Sequence, residues 1–270
     1  MAETDKVFAG SIPKFYDTLM VPLIFEGYAT DVAARVAAFS PGAVLETAAG
    51  SGAVTRMLAP LLGADARYVV TDLNPAMLDY AVTRQAADNR IEWRQADALA
   101  LPFDDASFDV VLCQFGAMFF PDRVRAYREA LRVLAPGGTF LFSVWDALDK
   151  NDFARETGEE LDEMFPDDPP RFMARVPHGY HDVARIEQDL RDAGFTRVVI
   201  DTVTAQSVAP SALIAATAYC QGTPVRAEIE ARDPDALQRA TERVAERMAS
   251  LHGDSEVRGR IQAHVIAASR

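Results

Sequence analysis

The sequence predicts an α/β fold, a mostly parallel seven-stranded sheet with helices on both faces. Three observations carry this. Short apolar runs alternate with segments of helical period through the first 145 residues, the pattern of strands joined by crossover helices. The first run, Ala43-Val44-Leu45, leads into a small-residue turn, Glu46-Thr47-Ala48-Ala49-Gly50-Ser51-Gly52, and then into the helical pattern Ala53–Leu58. The second run, Tyr68-Val69-Val70-Thr71, closes on a carboxylate, Asp72, twenty residues after Gly52. A strand, a tight turn, a helix, a strand and a terminal acid form the first half of a nucleotide-binding unit.

The elements follow in order. The first forty residues read as helical and apolar, from Phe15 to Met20 and again from Asp31 to Phe39. Strands are predicted near 43–47, 67–72, 91–95, 108–113 and 138–145, and helices near 53–61, 75–86 and 121–134. In the last helix Val124, Tyr127, Leu131 and Leu134 form one apolar stripe. Pro136-Gly137-Gly138 stops it and turns the chain. Beyond Trp145 the pattern changes. An acidic helix is predicted from Asn151 to Met164, then a breaker, Phe165-Pro166-Asp167-Asp168-Pro169-Pro170. A helix near 182–193 follows, stopped by Gly194, then a strand from Phe195 to about Thr204 and helices from about 210 to 251. Ile261–Ala267 reads as a final strand.

The turn at Glu46–Gly52 narrows the ligand. Small residues let the backbone approach a ligand closely, and a carboxylate closing the second strand can accept both hydroxyls of a ribose. An adenosine-containing molecule follows. A dinucleotide turn calls for a third glycine where Thr55 stands, and a phosphate loop calls for a lysine that is absent here. Glu46 would repel a diphosphate and attract a cationic amino-acid group. These points favour S-adenosylmethionine over NAD or ATP.

With these residues the chain resembles the class I S-adenosylmethionine-dependent methyltransferases, in the type-11 group that includes the ubiquinone/menaquinone-biosynthesis enzymes. The resemblance is close over residues 40–145. Where that family's first turn reads Asp/Glu-x-Gly-x-Gly-x-Gly, this chain keeps Glu46, Gly50 and Gly52 and has Ala48 at the first glycine. The resemblance implies a Rossmann-like fold and S-adenosylmethionine as cofactor, leaving as S-adenosylhomocysteine. It assigns Asp72 to the ribose, Leu73 and Met77 to the cofactor pocket, and Asp97 with Ala98, in Gln95-Ala96-Asp97-Ala98, to the adenine loop. Gln114 and Phe115 fall where the family lines the methyl-transfer pocket, and Ile12–Asp17 resembles a lid from which Phe15 or Tyr16 shields the sulfonium. Leu131–Thr139 matches the family's helix, turn and fifth strand.

The implied organisation is a helical lid over 1–40, a cofactor-binding core over 41–146 and a cap insertion over 147–181. A return to the core spans 182–205, a helical insertion 206–258 and the last strand 259–270. In the family a short hairpin joins the sixth and seventh strands; here about fifty residues intervene, read together with 146–181 as a helical cap over the acceptor pocket.

Composition bounds the acceptor. The net charge of −13 disfavours a polyanion such as DNA or RNA. The family's Asn-Pro-Pro-aromatic signature for methylating nitrogen is replaced by Gln114-Phe115-Gly116-Ala117. A small-molecule acceptor, apolar or aromatic, is expected. No apolar run approaches the ~20 residues of a membrane span, no signal peptide is evident, and two cysteines, Cys113 and Cys220, give no disulfide framework. A cytoplasmic protein is expected, and a homodimer is compatible with the sequence. Where the acceptor must lose a proton, His178 and His181 in Pro177-His178-Gly179-Tyr180-His181-Asp182 are the candidate bases. Asp182 reads as a helix cap, His252 and His264 read as peripheral, and no metal site is expected. The rival reading is a protein that binds S-adenosylmethionine or S-adenosylhomocysteine without methyl transfer. A nicotinamide oxidoreductase ranks third, weakened by Thr55.

Overall fold

The structure, a computed structural model, describes residues 15–270. The chain divides into two compact units. One holds Glu26–Trp145, His181–Val203 and Ala263–Arg270; the other holds the segment ending at Phe25, Asp146–Tyr180 and Thr204–Gln262. The expected lid segment Ile12–Lys14 lies outside the described residues.

The first unit is built on the sheet. Its strands are β1 (Ala43–Glu46), β2 (Arg67–Asp72), β3 (Ile91–Gln95), β4 (Phe108–Gln114) and β5 (Leu134–Trp145), and it shares β6 (Arg197–Ser211) and β7 (Ser255–Ser269) with the second unit. The order is β3-β2-β1-β4-β5-β7-β6. Strands β1 to β5 pair in parallel, and β7 lies antiparallel to β5, with Phe140 opposite Ala268 and Trp145 opposite Ala263. The sheet is mostly parallel, as predicted.

Its helices are α1 (Glu26–Ala38), α2 (Ala53–Leu58), α3 (Pro75–Arg84), α4 (Arg123–Val133) and, later in the chain, α7 (Val183–Ala193). Alternation along the strands sorts residues to two faces. Val44, Tyr68, Val70, Val110, Leu112 and Leu141 pack with Val32 and Val36 of α1 and with Val54 and Leu58 of α2. On the opposite face the rings of Tyr127, Phe140, Phe142 and Phe195 lie 4.7–5.9 Å apart. Burying side chains this large on both faces is the main stabilisation of a parallel sheet.

Two fixings hold strand ends in place. Asp109 Oδ2 accepts the N–H groups of Gly42 and Ala43 at 2.8 and 2.9 Å, tying β1 to β4 before either reaches the site. Arg132 donates to the carbonyls of Leu101 and Phe103 at 2.8 Å and pairs with Glu129 and Asp105, pinning the segment before β4.

The largest differences from expectation fall in the last three strands. Leu134 pairs with Phe108 and Thr139 with Val110, so Pro136-Gly137-Gly138 forms an irregularity within β5 rather than a turn before it. β6 continues through Pro210 to Ser211. A proline stops a central strand, but β6 is the edge strand, where a missing N–H is tolerated. β7 starts at Ser255, six residues before the predicted start, so 43 residues (212–254) separate the last two strands.

The second unit is largely helical. It contains a π-helical segment, Tyr16–Phe25, then α5 (Asp152–Met164), α6 (Phe172–Arg175), α8 (Ala212–Gln221), α9 (Val225–Arg232) and α10 (Ala236–His252). Glu156, Glu159 and Glu160 on α5 meet His252, Arg247 and Arg243 on α10 at 2.6–2.9 Å. His252 is therefore not peripheral: it bonds both oxygens of Glu156, a residue only 1% exposed. In the sheet unit His264 is likewise buried, its Nδ1 2.9 Å from Thr202 Oγ1. Among the described residues no helix is long and apolar enough to cross a membrane.

Candidate functional site

In an open parallel sheet, ligands bind beyond the carboxyl ends of the strands, where the strand order reverses. Here the order reverses between β1 and β4. Glu46 ends β1, Asp72 ends β2, Gln114 ends β4, and Asp97 follows the end of β3. Four residues picked from separate motifs thus share one edge of one unit.

The turn after β1 is held on both sides. Thr47 N–H donates to the Leu112 carbonyl of β4 at 2.9 Å, and Ala49 N–H donates to the Thr71 carbonyl of β2 at 3.0 Å. Ala48, Gly50 and Gly52 all take positive φ, at 52°, 58° and 78°. This left-handed run bends the chain sharply between β1 and α2. Glycine adopts it freely, whereas alanine does so at a steric cost of about 1–2 kcal/mol. Met77, from α3, reaches Gly50: a Cβ placed there would lie 3.5 Å from Met77 Cε.

Asp72 is anchored through both oxygens. Oδ2 accepts Gly50 N–H and Oδ1 accepts Asn74 N–H, each at 2.8 Å. Burial pushes its carboxyl above the ordinary aspartate range, partly offset by the bonds from Asn74 and Gly50. Each oxygen keeps a further lone pair, the capacity that a ribose diol requires. Capping of α3 falls to Asn74, whose Oδ1 accepts Ala76 N–H at 3.0 Å. Leu73 is 52% exposed, a large apolar side chain left at the surface beside Asp72. Asp72 carbonyl accepts Ala96 N–H at 3.1 Å, which ties the Asp97–Ala98 loop to the same place. Asp97 is exposed, and its Oδ1 accepts Leu99 N–H at 2.9 Å.

Glu46 is 1% exposed. Its Oε2 accepts from Thr55 Oγ1 at 2.7 Å and from the Tyr68 hydroxyl. Burial, opposed by those two hydrogen bonds, pushes its carboxyl up to about 7. Sequence reasoning missed both partners. In the sequence Thr55 only argues against a third glycine, and Tyr68 reads as part of an apolar strand run. The available signal was helical and strand geometry: Thr55 faces back from the first turn of α2, and Tyr68 pairs in register with Val44.

Gln114 and Phe115 close β4. Phe115 stands at φ 52°, strained for an aromatic residue, and its N–H donates to the Ser143 carbonyl at 3.1 Å. Its ring stacks on Trp145 at 3.9 Å and meets Tyr28 edge-on at 5.4 Å.

The remaining candidates are distributed differently. Tyr16 belongs to the helical unit and stacks on Phe25 at 5.0 Å. His178 also belongs to that unit; it is buried, with Nδ1 2.8 Å from the Asp146 carbonyl. His181 belongs to the sheet unit and is exposed, just before Asp182, whose Oδ1 caps α7 by accepting Ala184 N–H at 2.9 Å.

The residues of the turn fit S-adenosylmethionine. A buried carboxylate at Glu46 suits a cation and opposes a diphosphate, and the anchored Asp72 offers acceptors to a ribose.

Comparison with known proteins agrees. Residues 45–142 match a family described as a methyltransferase domain. A ubiquinone/menaquinone biosynthesis C-methyltransferase of Idiomarina loihiensis is 41% identical over 103 residues, 36% of this chain and 40% of that protein. The enzyme of the same description from Ectopseudomonas mendocina is 31% identical over 179 residues, 62% of this chain and 70% of that protein. The chain thus spans about 40% of the first curated relatives that it matches. In fold it is similar to a phosphoethanolamine N-methyltransferase from Haemonchus contortus, solved with phosphomonomethylethanolamine and S-adenosylhomocysteine, at 17% identity and a TM-score of 0.62, covering 100% of this chain and 61% of that one. Turn, switch point, strand-end acids and sequence likeness agree: this chain belongs to the class I S-adenosylmethionine-dependent methyltransferases of the type-11 family.

Proposed function

We propose that this protein transfers a methyl group from S-adenosylmethionine to a small-molecule acceptor by in-line displacement at carbon. The observation that carries the reading is the convergence of Glu46, Asp72 and the Gly50–Gly52 turn at the switch point of one sheet. The cofactor supplies a sulfonium leaving group, so the protein has to bind, align and exclude water. Asp72 holds the ribose, and Glu46 favours the ammonium end. Ala48, Gly50 and Gly52 let the backbone approach, Leu73 and Met77 pack on the adenosine, and Asp97 accepts from the adenine amino group, with Ala98 in the same loop. Gln114 and Phe115 line the methyl-transfer pocket. The acidic balance of −13 and the missing Asn-Pro-Pro-aromatic signature favour an apolar or aromatic acceptor without polyanionic charge.

For an acceptor that must lose a proton, His178 is the better base. Its ring is buried and held at Nδ1, 2.8 Å from the Asp146 carbonyl and 3.5 Å from the Asn151 amide nitrogen. His181, being exposed, is the weaker candidate.

Binding without methyl transfer is the second reading, and Ala48 in a left-handed position favours it. Calorimetric titration with S-adenosylmethionine, S-adenosylhomocysteine and NAD, followed by turnover with a panel of phenols and quinols, separates the readings. Binding of the first two but not NAD, with S-adenosylhomocysteine released on adding an acceptor, is expected. Binding with no turnover on any acceptor favours the second reading, and no binding overturns both. His178→Ala is expected to lower kcat for acceptors that lose a proton while leaving cofactor affinity unchanged; unchanged kcat rejects the base.

A further inference from the structure

The turn after β1 and the loop after β4 meet at the methyl group of Ala48. Gly116 has φ −97°, a backbone conformation open to any residue. Space is what restricts it: a Cβ there would lie 2.5 Å from the Cβ of Ala48 and 2.8 Å from the Sγ of Cys113. Ala48 in turn stands in the left-handed region at φ 52°, where glycine would be relaxed. Its methyl group is therefore kept at a steric cost, and it fills space directly against the loop. Such strain persists where the surroundings over-determine it.

The loop beyond that contact is fixed at its other side. Phe115 precedes Gly116, stacks on Trp145 at 3.9 Å and bonds Ser143 through its N–H. Gly116 carbonyl accepts Phe119 N–H at 2.9 Å and so opens the short 3₁₀ turn Ala117–Phe119. On the turn's own side, Thr47, Ala49 and Gly50 are bonded to β4, β2 and Asp72. A contiguous line of packed groups runs from Asp72 and Gly50 through Ala48 and Gly116 to Phe115 and Trp145.

We propose that Ala48 is a positioning residue whose methyl group wedges the loop after β4, so that the state of the cofactor turn is felt at Phe115 and Trp145. The transmission rests on the cofactor reading above; the wedge does not. It couples cofactor occupancy to the placement of the residue assigned to the methyl-transfer pocket. A glycine at this position would leave the loop loose.

The chain holds two tryptophans, so a Trp93→Phe background leaves Trp145 as the sole tryptophan reporter. Cys113→Ala in the same background removes the Sγ clash and isolates the Ala48 contact. S-adenosylhomocysteine is expected to change Trp145 emission with the midpoint found by calorimetry. At saturating S-adenosylhomocysteine, set by calorimetry on each variant, Ala48→Gly should lose at least about half of the parent's emission change. Gly116→Ala should lower the melting temperature and weaken binding by about tenfold or more, and combining it with Ala48→Gly should recover most of both losses. A full emission change in Ala48→Gly overturns the proposal. So does a Gly116→Ala penalty that is as large with Ala48→Gly as without it. If the parent fails to bind S-adenosylhomocysteine, the cofactor reading falls, and the melting-temperature cycle decides the wedge alone: additive losses overturn it and non-additive losses support it.

Discussion

Replacing Asp72 with alanine is expected to weaken S-adenosylmethionine binding by about 1–3 kcal/mol, roughly 5- to 150-fold in Kd. The loss has two sources. The ribose hydroxyls lose their charged acceptor, and the N–H groups of Gly50 and Asn74 lose theirs, so the turn that the cofactor approaches loosens too. Asp72→Asn separates the sources. It keeps one carbonyl oxygen for Asn74 N–H but sets an amide NH₂ against Gly50 N–H or the ribose, so its affinity should fall between the two. Because burial holds the Asp72 carboxyl above its ordinary range, affinity should decline on acidification earlier than for a solvated aspartate. Calorimetry of the two variants across pH checks this. Equal affinity in Asp72→Ala and the parent would remove the ribose assignment.

Glu46 predicts the larger pH effect. Its carboxyl rises from 4.5 to about 7 in the folded chain, burial being the leading cause. The folded state therefore holds its proton where the unfolded state has already released it. The stability of the cofactor-free protein is fully present below the ordinary value of 4.5 and is lost as pH rises through about 7. A shift of that size corresponds to roughly 3 kcal/mol. Glu46→Gln, which cannot ionise, should flatten this slope and leave the protein more stable than the parent at pH 8. A cation bound beside Glu46 opposes the same shift by favouring the carboxylate. S-adenosylmethionine binding near pH 6 should therefore release protons, read as a dependence of the calorimetric heat on buffer ionisation enthalpy. Denaturant titrations from pH 4.5 to 8 check the first part. An identical slope in Glu46→Gln would locate the pH dependence in another group.

Much of this protein is legible in the chain itself because the determining signals are local. The strand runs 67–72 and 91–95 coincide with β2 and β3, and the helix from Pro75 starts as expected. Buried parallel strands need continuous apolar residues, and crossover helices need a 3.6-residue stripe; both periods can be read without coordinates. The turn residues were legible for the same reason, since a ligand-approaching backbone restricts side-chain size over a few consecutive positions. Tertiary structure alone decided what depends on distant partners. Thr55 and Tyr68 meet on one oxygen of Glu46 because α2 and β2 both pack against β1. Gly116 has no room for a Cβ because Ala48, 68 residues earlier, and Cys113 occupy that space. His252 and His264 looked peripheral in sequence but are held by Glu156 and Thr202, partners 96 and 62 residues away. β6 continues through Pro210 because it lies at the edge of the sheet. Periodicity reports the face that a residue occupies; the group it meets there is set by strand order and register, which emerge only when the whole sheet closes on its core.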